Sequence, residues 1–251
     1  MITVKPAPRQ AAATTQDQPM LSVEDLRVTF TTADGESLKA VDGISFEVRP
    51  GETFGVIGES GSGKSTLGRA IVRLLDPTGG RILYEGDDIA RLKGRSLRRK
   101  RRELQIIFQD PNAALNPRMS ILDSVREPLD VVGEGDRASR TGRALDLLDR
   151  VGISAEQARR YPHELSGGQK QRVNIARSLT LNPKLVVCDE VVAALDVSIR
   201  GDVLNLFAEI QRERGLAYVF ITHDIGVVSH ISDRVAVMYL GRFMELGPVA
   251  A

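Results

Sequence analysis

Gly58-Glu-Ser-Gly-Ser-Gly-Lys-Ser65 sets glycines, a lysine and a serine at a spacing suited to phosphate chemistry. The apolar run Thr53–Ile57 precedes it, and Thr66–Leu75 follows as a predicted helix. Strand, glycine turn and helix is the context in which G-x-x-x-x-G-K-[ST] holds a nucleoside triphosphate. Glycines let the backbone N–H groups of Gly58, Glu59, Ser60, Gly61, Ser62 and Gly63 converge on one anion. The helix N-terminus adds partial positive charge there. Lys64 can reach the β- and γ-phosphates, Ser65 can ligate Mg²⁺, and Thr66 opens the helix beside them. A flexible glycine-serine turn is the bland alternative, and the flanking elements weigh against it.

Further polar residues stand at the ends of apolar strands. Leu104–Phe108 ends at Gln109, Lys184–Cys188 at Asp189 and Glu190, and Ala217–Ile221, the last expected sheet strand, at Thr222-His223. The carboxyl ends of strands form the ligand edge of open α/β sheets. Gln109 there could coordinate Mg²⁺ and position water, or simply cap a loop. Adjacent carboxylates on a buried strand are costly unless they meet a cation or proton. Asp189 suits Mg²⁺, and Glu190 suits a base or water-orienting group. His223 could donate to a γ-phosphate, although a lone histidine is more often structural. Leu165-Ser-Gly-Gly-Gln169 opens a helix over Lys170–Leu181, as a second anion nest or as a plain serine cap. Phe30 could stack on an adenine or sit in the core.

These residues need a sheet and a helical segment to position them. Met1 to Gln18 is rich in Ala, Thr, Gln and Pro and reads as a disordered tail, with order beginning near Leu21. Leu21–Phe30 and Val41–Val48 are strand candidates around a turn at 31–36. Arg81–Gly86 is a short strand. From 112 to 182 the apolar spacing turns helical, over Ile121–Val132 and Ala138–Val151, and reads as an insertion between two parts of one α/β sheet. Val197–Arg214 is a helix, and Asp233–Leu240 with Arg242–Leu246 a hairpin turning at Gly241. Cys188 reads as an inert core thiol.

Composition bounds the rest. Hydrophobic content of 42%, charged content of 27% and net charge +1 describe an ordinary globular chain with no global pull toward nucleic acid. One cysteine excludes an internal disulfide framework. No apolar run approaches a membrane span, and the N-terminus has no hydrophobic signal core, so a membrane role must come through a partner. Seven basic residues in ten at Lys93–Arg102 could contact nucleic acid. No aromatics interleave them, so a solvated helix face is the better reading.

The order Gly58–Ser65, Gln109, Leu165–Gln169, Leu185–Glu190, Ala194–Asp196 and His223 resembles the nucleotide-binding subunit of ATP-binding-cassette (ABC) transporters, over essentially the whole chain after residue 20. These stretches match the family's phosphate loop, glutamine loop, signature sequence, magnesium-binding strand, D-loop and histidine switch, and Phe30 matches its adenine platform. Phe108–Met119, Tyr161–Ser166 and Ile221–Val228 resemble the dipeptide, oligopeptide and nickel importer branch. The D-loop carries Ala193-Ala194 where the family usually has a small residue and Ser, leaving one cross-dimer hydrogen bond unassigned. The branch commonly carries a cysteine-containing C-terminal extension, and the sequence stops at Ala251 before any such features can be assigned.

The resemblance implies an α/β fold: a RecA-like P-loop NTPase core with an antiparallel β subdomain, over 21–111 and 183–251, and an inserted α-helical subdomain over 112–182. It implies binding of ATP and Mg²⁺, with Ser65, Gln109 and Asp189 as metal ligands. Lys64, Gln109, Glu190 and His223 are the implied catalytic group. Ser166, Gly167, Gly168 and Gln169 of a second, identical or paralogous cassette would close the site. The implied assembly adds two permease subunits at the cytoplasmic membrane face and, indirectly, a solute-binding protein. Leu115, Met119 and Leu122 are candidates for the floor of a groove that receives a permease helix, with core packing the equal alternative. An accessory ATPase of phosphonate breakdown is the competing function. A DNA-repair or translation ATPase fits poorly, because no long coiled-coil insertion or duplicated cassette is present.

Overall fold

Alternation of apolar and polar residues pairs β1 (Leu21–Thr31) with β2 (Ser37–Val48), burying Ile44, Phe46 and Val48 of β2 on one face. This computed structural model describes residues 18–32, 34–193, 195 and 197–249, with Val197 and Ser198 described in backbone only. β4 (Gly79–Tyr84) and β5 (Asp87–Asp88) complete an antiparallel sheet in the order β2-β1-β4-β5.

A second sheet carries the chemistry-bearing strand ends. It contains β3 (Thr53–Ile57), β6 (Leu104–Ile107), β7 (Leu185–Asp189), β8 (Ala217–Thr222), β9 (Arg234–Tyr239) and β10 (Arg242–Pro248), in the order β10-β9-β3-β8-β7-β6. All neighbours are parallel except β9 and β10. β7 and β8 are buried along their whole lengths, which is why their sequences run apolar without alternation. The hairpin at the chain's end is thus part of this sheet, and Ala217–Thr222 is not its last strand. β9 lies parallel to β3, and Thr53 N donates to an Asp233 carboxylate oxygen at 2.8 Å.

Helix α1 (Lys64–Ile71) follows β3 and packs against β7 and β8. α2 (Gly94–Glu103) holds the basic run, with Leu97 as its buried residue. Between β6 and β7 the chain is helical, as expected: α3 (Pro111–Ala114), α4 (Ile121–Val132), α5 (Arg137–Arg150), α6 (Ala155–Ala158) and α7 (Gly167–Leu179). Caps define these ends. Ser120 accepts from Asp123 N and Asp136 from Ser139 N, and Gly133 closes α4. α8 (Val197–Arg214) and α9 (Ile225–Ile231) flank β8.

Several boundaries move. β2 starts at Ser37 rather than Val41, α1 starts at Lys64 and ends at Ile71, and α7 starts at Gly167 rather than Lys170. β1 begins at Leu21, as expected, and the buried Met20 just before it accepts from Glu85 N through its carbonyl. Residues 1–17 of the expected tail, with Ala194 and Asp196 of the expected D-loop, lie outside the described residues. Leu115 is 3% exposed inside the core shared by α4, α5 and α7, and Leu122 packs against that core. Core packing, not a groove floor, explains both.

Gly241 joins the two sheets. Its N–H donates to Ser62 O at 2.9 Å, and its carbonyl accepts from Asp42 N at 2.8 Å. Its φ is +80°, and a Cβ there would come within 2.9 Å of Lys39 O, so both backbone angle and space call for glycine.

Candidate functional site

β3 feeds the phosphate loop directly. Gly63 adopts φ +104°, and a Cβ on it would lie 2.0 Å from Ala40 O, so the loop can close onto β2 only with glycine. Lys64, 4% exposed, donates from Nζ to the carbonyls of Gly58 at 2.8 Å and Glu59 at 2.7 Å. Burial pushes the Lys64 ammonium below its ordinary range, while Glu190 and Asp189 oppose that shift.

The strand ends converge as the register dictates. Ile57 pairs with Thr222, Asp189 with Ile221, and Ile107 with Cys188, so residues just beyond them share one edge. Ser65 Oγ donates to Asp189 Oδ1 at 2.8 Å. Burial raises the Asp189 carboxyl, and the Ser65 hydrogen bond and Arg69 pull it back. Gln109 Nε2 donates to Glu190 Oε2 at 3.0 Å, and His223 Nδ1 lies 3.5 Å from the same oxygen. Glu190 has φ +51°, a left-handed conformation that a non-glycine residue seldom adopts. Its N–H still donates to Ile221 O, so the turn departs from a strand that remains tied to β8.

A cavity of about 340 Å³ opens here, lined by Phe30, Leu38, Ala40, Ser60, Gly61, Gly63, Lys64, Ser65, Thr66, Gln109 and Glu190. Phe30 is 39% exposed at its mouth rather than packed in the core. Leu38 pairs with Phe30 across β1 and β2 and is 58% exposed beside it. Leu38 and Ala40 escaped sequence reasoning, although the turn at 31–36 sets Leu38 opposite Phe30, with Ala40 two residues further along β2. Gly58, Glu59, Ser62, Asp189 and His223 do not line the cavity but touch residues that do.

Ser166, Gly167, Gly168 and Gln169 are not brought to this cavity. Ser166 caps α7 instead: its Oγ accepts from Gln169 N at 3.3 Å, while Gln169 Oε1 accepts from Ser166 N at 2.9 Å. The plain capping role therefore holds, and Gly167 and Gly168 lie in the first turn of α7.

The residues fit a nucleotide with a hard cation. Lys64 directs its ammonium at loop carbonyls, a contact that an anion can replace. A hydroxyl and one carboxylate in hydrogen-bond reach suit Mg²⁺, which is commonly held through few protein ligands, phosphates and water. No cluster of three or more His, Cys, Asp or Glu suited to a metal occurs among the described residues, so a cage made by such side chains alone is not what they form.

The sequence profile of the ABC transporter family matches residues 41–193, more than half the chain. The chain is 50% identical to the glutathione import ATP-binding protein GsiA of Escherichia coli (strain K12) over 237 residues, 92% of this chain and 38% of that protein. The GsiA protein of Salmonella typhimurium is 49% identical over 241 residues, again with 38% of its length covered. The chain therefore spans well under half the length of these relatives. Among solved structures, the ATP-binding cassette MJ0796, in a dimeric post-hydrolysis state bound to ADP and Pi, superposes with TM-score 0.85 at 29% identity, over 92% of this chain and 100% of that one. The cbiO1 protein of Clostridium perfringens, part of the ABC transporter complex cbiONQ, gives TM-score 0.80 at 32% identity, over 93% and 90% of the two chains. With these motifs assembled on the ligand edge of a matching fold, the chain belongs to the ABC transporter family.

Proposed function

We propose that the chain is the ATP-hydrolysing subunit of a solute importer, with small peptides as the cargo class and glutathione, a tripeptide, as the first candidate. The carrying observation is the convergence of Gln109 and His223 on one oxygen of Glu190, beside a phosphate loop whose lysine is free to exchange partners. The cargo class rests on the named activity of the relatives and on the importer-type wording of Phe108–Met119 and Tyr161–Ser166.

The residues divide the work by position. Lys64 turns from the loop carbonyls to the β- and γ-phosphates, and the N–H groups of 58–63 hold the same anion. Phe30 and Leu38 receive the adenine. Ser65, Gln109 and Asp189 would hold Mg²⁺, which supplies charge compensation on the phosphate oxygens. Glu190 orients a water and accepts its proton as the water oxygen bonds to the γ-phosphorus and the bond to the β–γ bridging oxygen breaks. His223 faces the γ-phosphate from the next strand end.

Ser166, Gly167, Gly168 and Gln169 act on a second cassette rather than on their own site. In support, they stand away from the cavity within one chain, and the related cassette MJ0796 is dimeric. The chain is read as an α/β core with an antiparallel β subdomain, over 21–111 and 183–251, around a helical unit over 112–182. No described helix is long and apolar enough to cross a membrane, so coupling to transport requires a permease, here placed at the cytoplasmic membrane face. Its docking site is a cavity of about 500 Å³ between α2, β6, α4 and α7, whose lining includes Ile107 and Phe108 just before Gln109. Copurification with a permease from membranes, followed by solute-stimulated ATPase assays with glutathione and other peptides, tests the reading. Activity with no permease recovered and no solute response would overturn the import function.

A further inference from the structure

This inference rests on the reading of the chain as a permease-bound ATPase and concerns the face that α2 turns outward. The helix reads Gly94-Arg-Ser-Leu-Arg-Arg-Lys-Arg-Arg-Glu103, and the fold sorts its charges by direction. Leu97 is its buried residue, and Lys100 and Arg101, three and four places on, share that inner face. Both are committed there. Lys100 pairs with Asp87 at 2.7 Å, and Arg101 donates to the Arg73 carbonyl. Glu103 is committed too, since Tyr84 Oη donates to it at 3.1 Å and Lys184 Nζ lies 3.5 Å away.

Arg95, Arg98, Arg99 and Arg102 occupy the opposite face, at spacing i, i+3, i+4 and i+7, and all four are exposed. None of them has an ion-pair or hydrogen-bond partner among the described residues. Asp87 and Asp88 share a cavity of about 410 Å³ with Arg95, Ser96, Arg99 and Lys100 without being free to neutralise the arginines. Asp87 is held by Lys100, and Asp88 accepts from Ala90 N at 2.9 Å. Like charges four residues apart weaken a helix, so this stripe works against α2 until an anion meets it.

Place and chemistry say which anion. Arg98 and Arg102 reach the rim of the cavity assigned above to the permease, and Arg95 and Arg99 extend the stripe away from it. A permease is surrounded by lipid, so a face continuous with its docking site is turned toward the headgroups. α2 holds no aromatic residue on which a base could stack, and the whole chain carries a net charge of +1. A row of guanidinium forks suits a surface of many phosphates, which each fork can grip with two N–H bonds.

We infer that Arg95, Arg98, Arg99 and Arg102 form a contact surface for the anionic phospholipid headgroups of the membrane around the permease. Each basic side chain at such a surface strengthens attachment by about fivefold, within about 10 Å at ordinary salt. The stripe would hold the outer face of α2 down on the membrane and so limit the tilt of the cassette.

Vesicle flotation of the full chain tests the chemistry. The chain should partition onto vesicles of equimolar phosphatidylcholine and phosphatidylglycerol, and leave them at about 1 M salt. Arg95→Gln with Arg99→Gln, two exposed changes outside the nucleotide cleft, should lower that partition by about twenty-five-fold, with basal ATPase within about twofold of wild type. Equal partition onto phosphatidylcholine alone, or full binding by the double variant, would overturn the inference. Wild-type binding to an oligouridylate with no partition onto the mixed vesicles would assign the stripe to nucleic acid and overturn it as well.

The assembled transporter in nanodiscs of the same lipid mixture tests the placement. Arg99→Cys carrying a fluorophore can be read there, because the native Cys188 is buried. A lipid spin-labelled on its headgroup should quench that fluorophore. Assembly without quenching would overturn the membrane contact and leave the import reading standing. Failure of the wild type to assemble with any permease would overturn the import reading and the placement that rests on it.

Discussion

The Gln109 side-chain amide donates to Glu190 Oε2 at 3.0 Å, linking residues 81 apart in sequence. Gln109 stands where the chain leaves β6 for the helical segment, and Glu190 where it leaves β7. Movement of the helical segment therefore reaches Glu190, the residue proposed above to orient the attacking water. Glu190→Gln should preserve ATP binding and slow hydrolysis by about 10²–10⁴-fold, the usual scale for a general base. Size exclusion with Mg²⁺ and ATP should then show a shift to dimer, and normal turnover would remove Glu190 from the role.

Lys64→Ala should abolish hydrolysis and leave the fold intact, because among the described residues the Lys64 ammonium hydrogen-bonds within its own loop. Loss of one such electrostatic contact costs about 3–4 kcal/mol in the transition state. Steady-state turnover and circular dichroism check both halves. Turnover within about tenfold of wild type would sink the assignment.

Phe30→Ala should raise the KM for ATP by about tenfold with kcat little changed, the scale expected for removing one base-stacking surface. Leu38→Ala should do the same more weakly. An unaltered KM in both variants would place the adenine elsewhere.

Leu115→Asp should cost about 3 kcal/mol or more in stability, since a carboxylate would replace a buried core side chain. Met119→Asp, at a partly exposed loop position, should cost far less. Chemical denaturation of each variant distinguishes them, and equal midpoints would contradict the packing described.

Much of the site was legible because its parts are local. A glycine-rich turn between a strand and a helix announces itself within 20 residues, as do Asp189 and Glu190 at the end of an unbroken apolar run. What escaped depends on distant pairing. β9 joins β3 across about 180 residues, and nothing local in Arg234–Tyr239 says which strand it lies beside. Leu38 lies outside the expected strand Val41–Val48, and only its register opposite Phe30 in β2 brings it to the cavity. Leu115 illustrates the converse: among prolines and asparagines it reads equally as groove floor or as core, and the helical segment folds over it. The separation of Ser166–Gln169 from the cavity is likewise a fact of three dimensions.

Gly241 gives the nucleotide cleft the character of a rigid gauge. Through one N–H and one carbonyl it ties the loop at Ser62 to the strand at Asp42, and Arg242 adds an ion pair to Asp42 at 2.6 Å. The spacing between aromatic platform and phosphate cradle is thus set before any ligand arrives. Nucleotide should dock in a single concentration-linear phase in stopped flow, with a small loss of conformational entropy. A slow, concentration-independent step would show the gauge to be loose. With the first half of the site prepared in this way, the proposed two-cassette arrangement would leave the chemical energy of ATP for the motion of one cassette against the other.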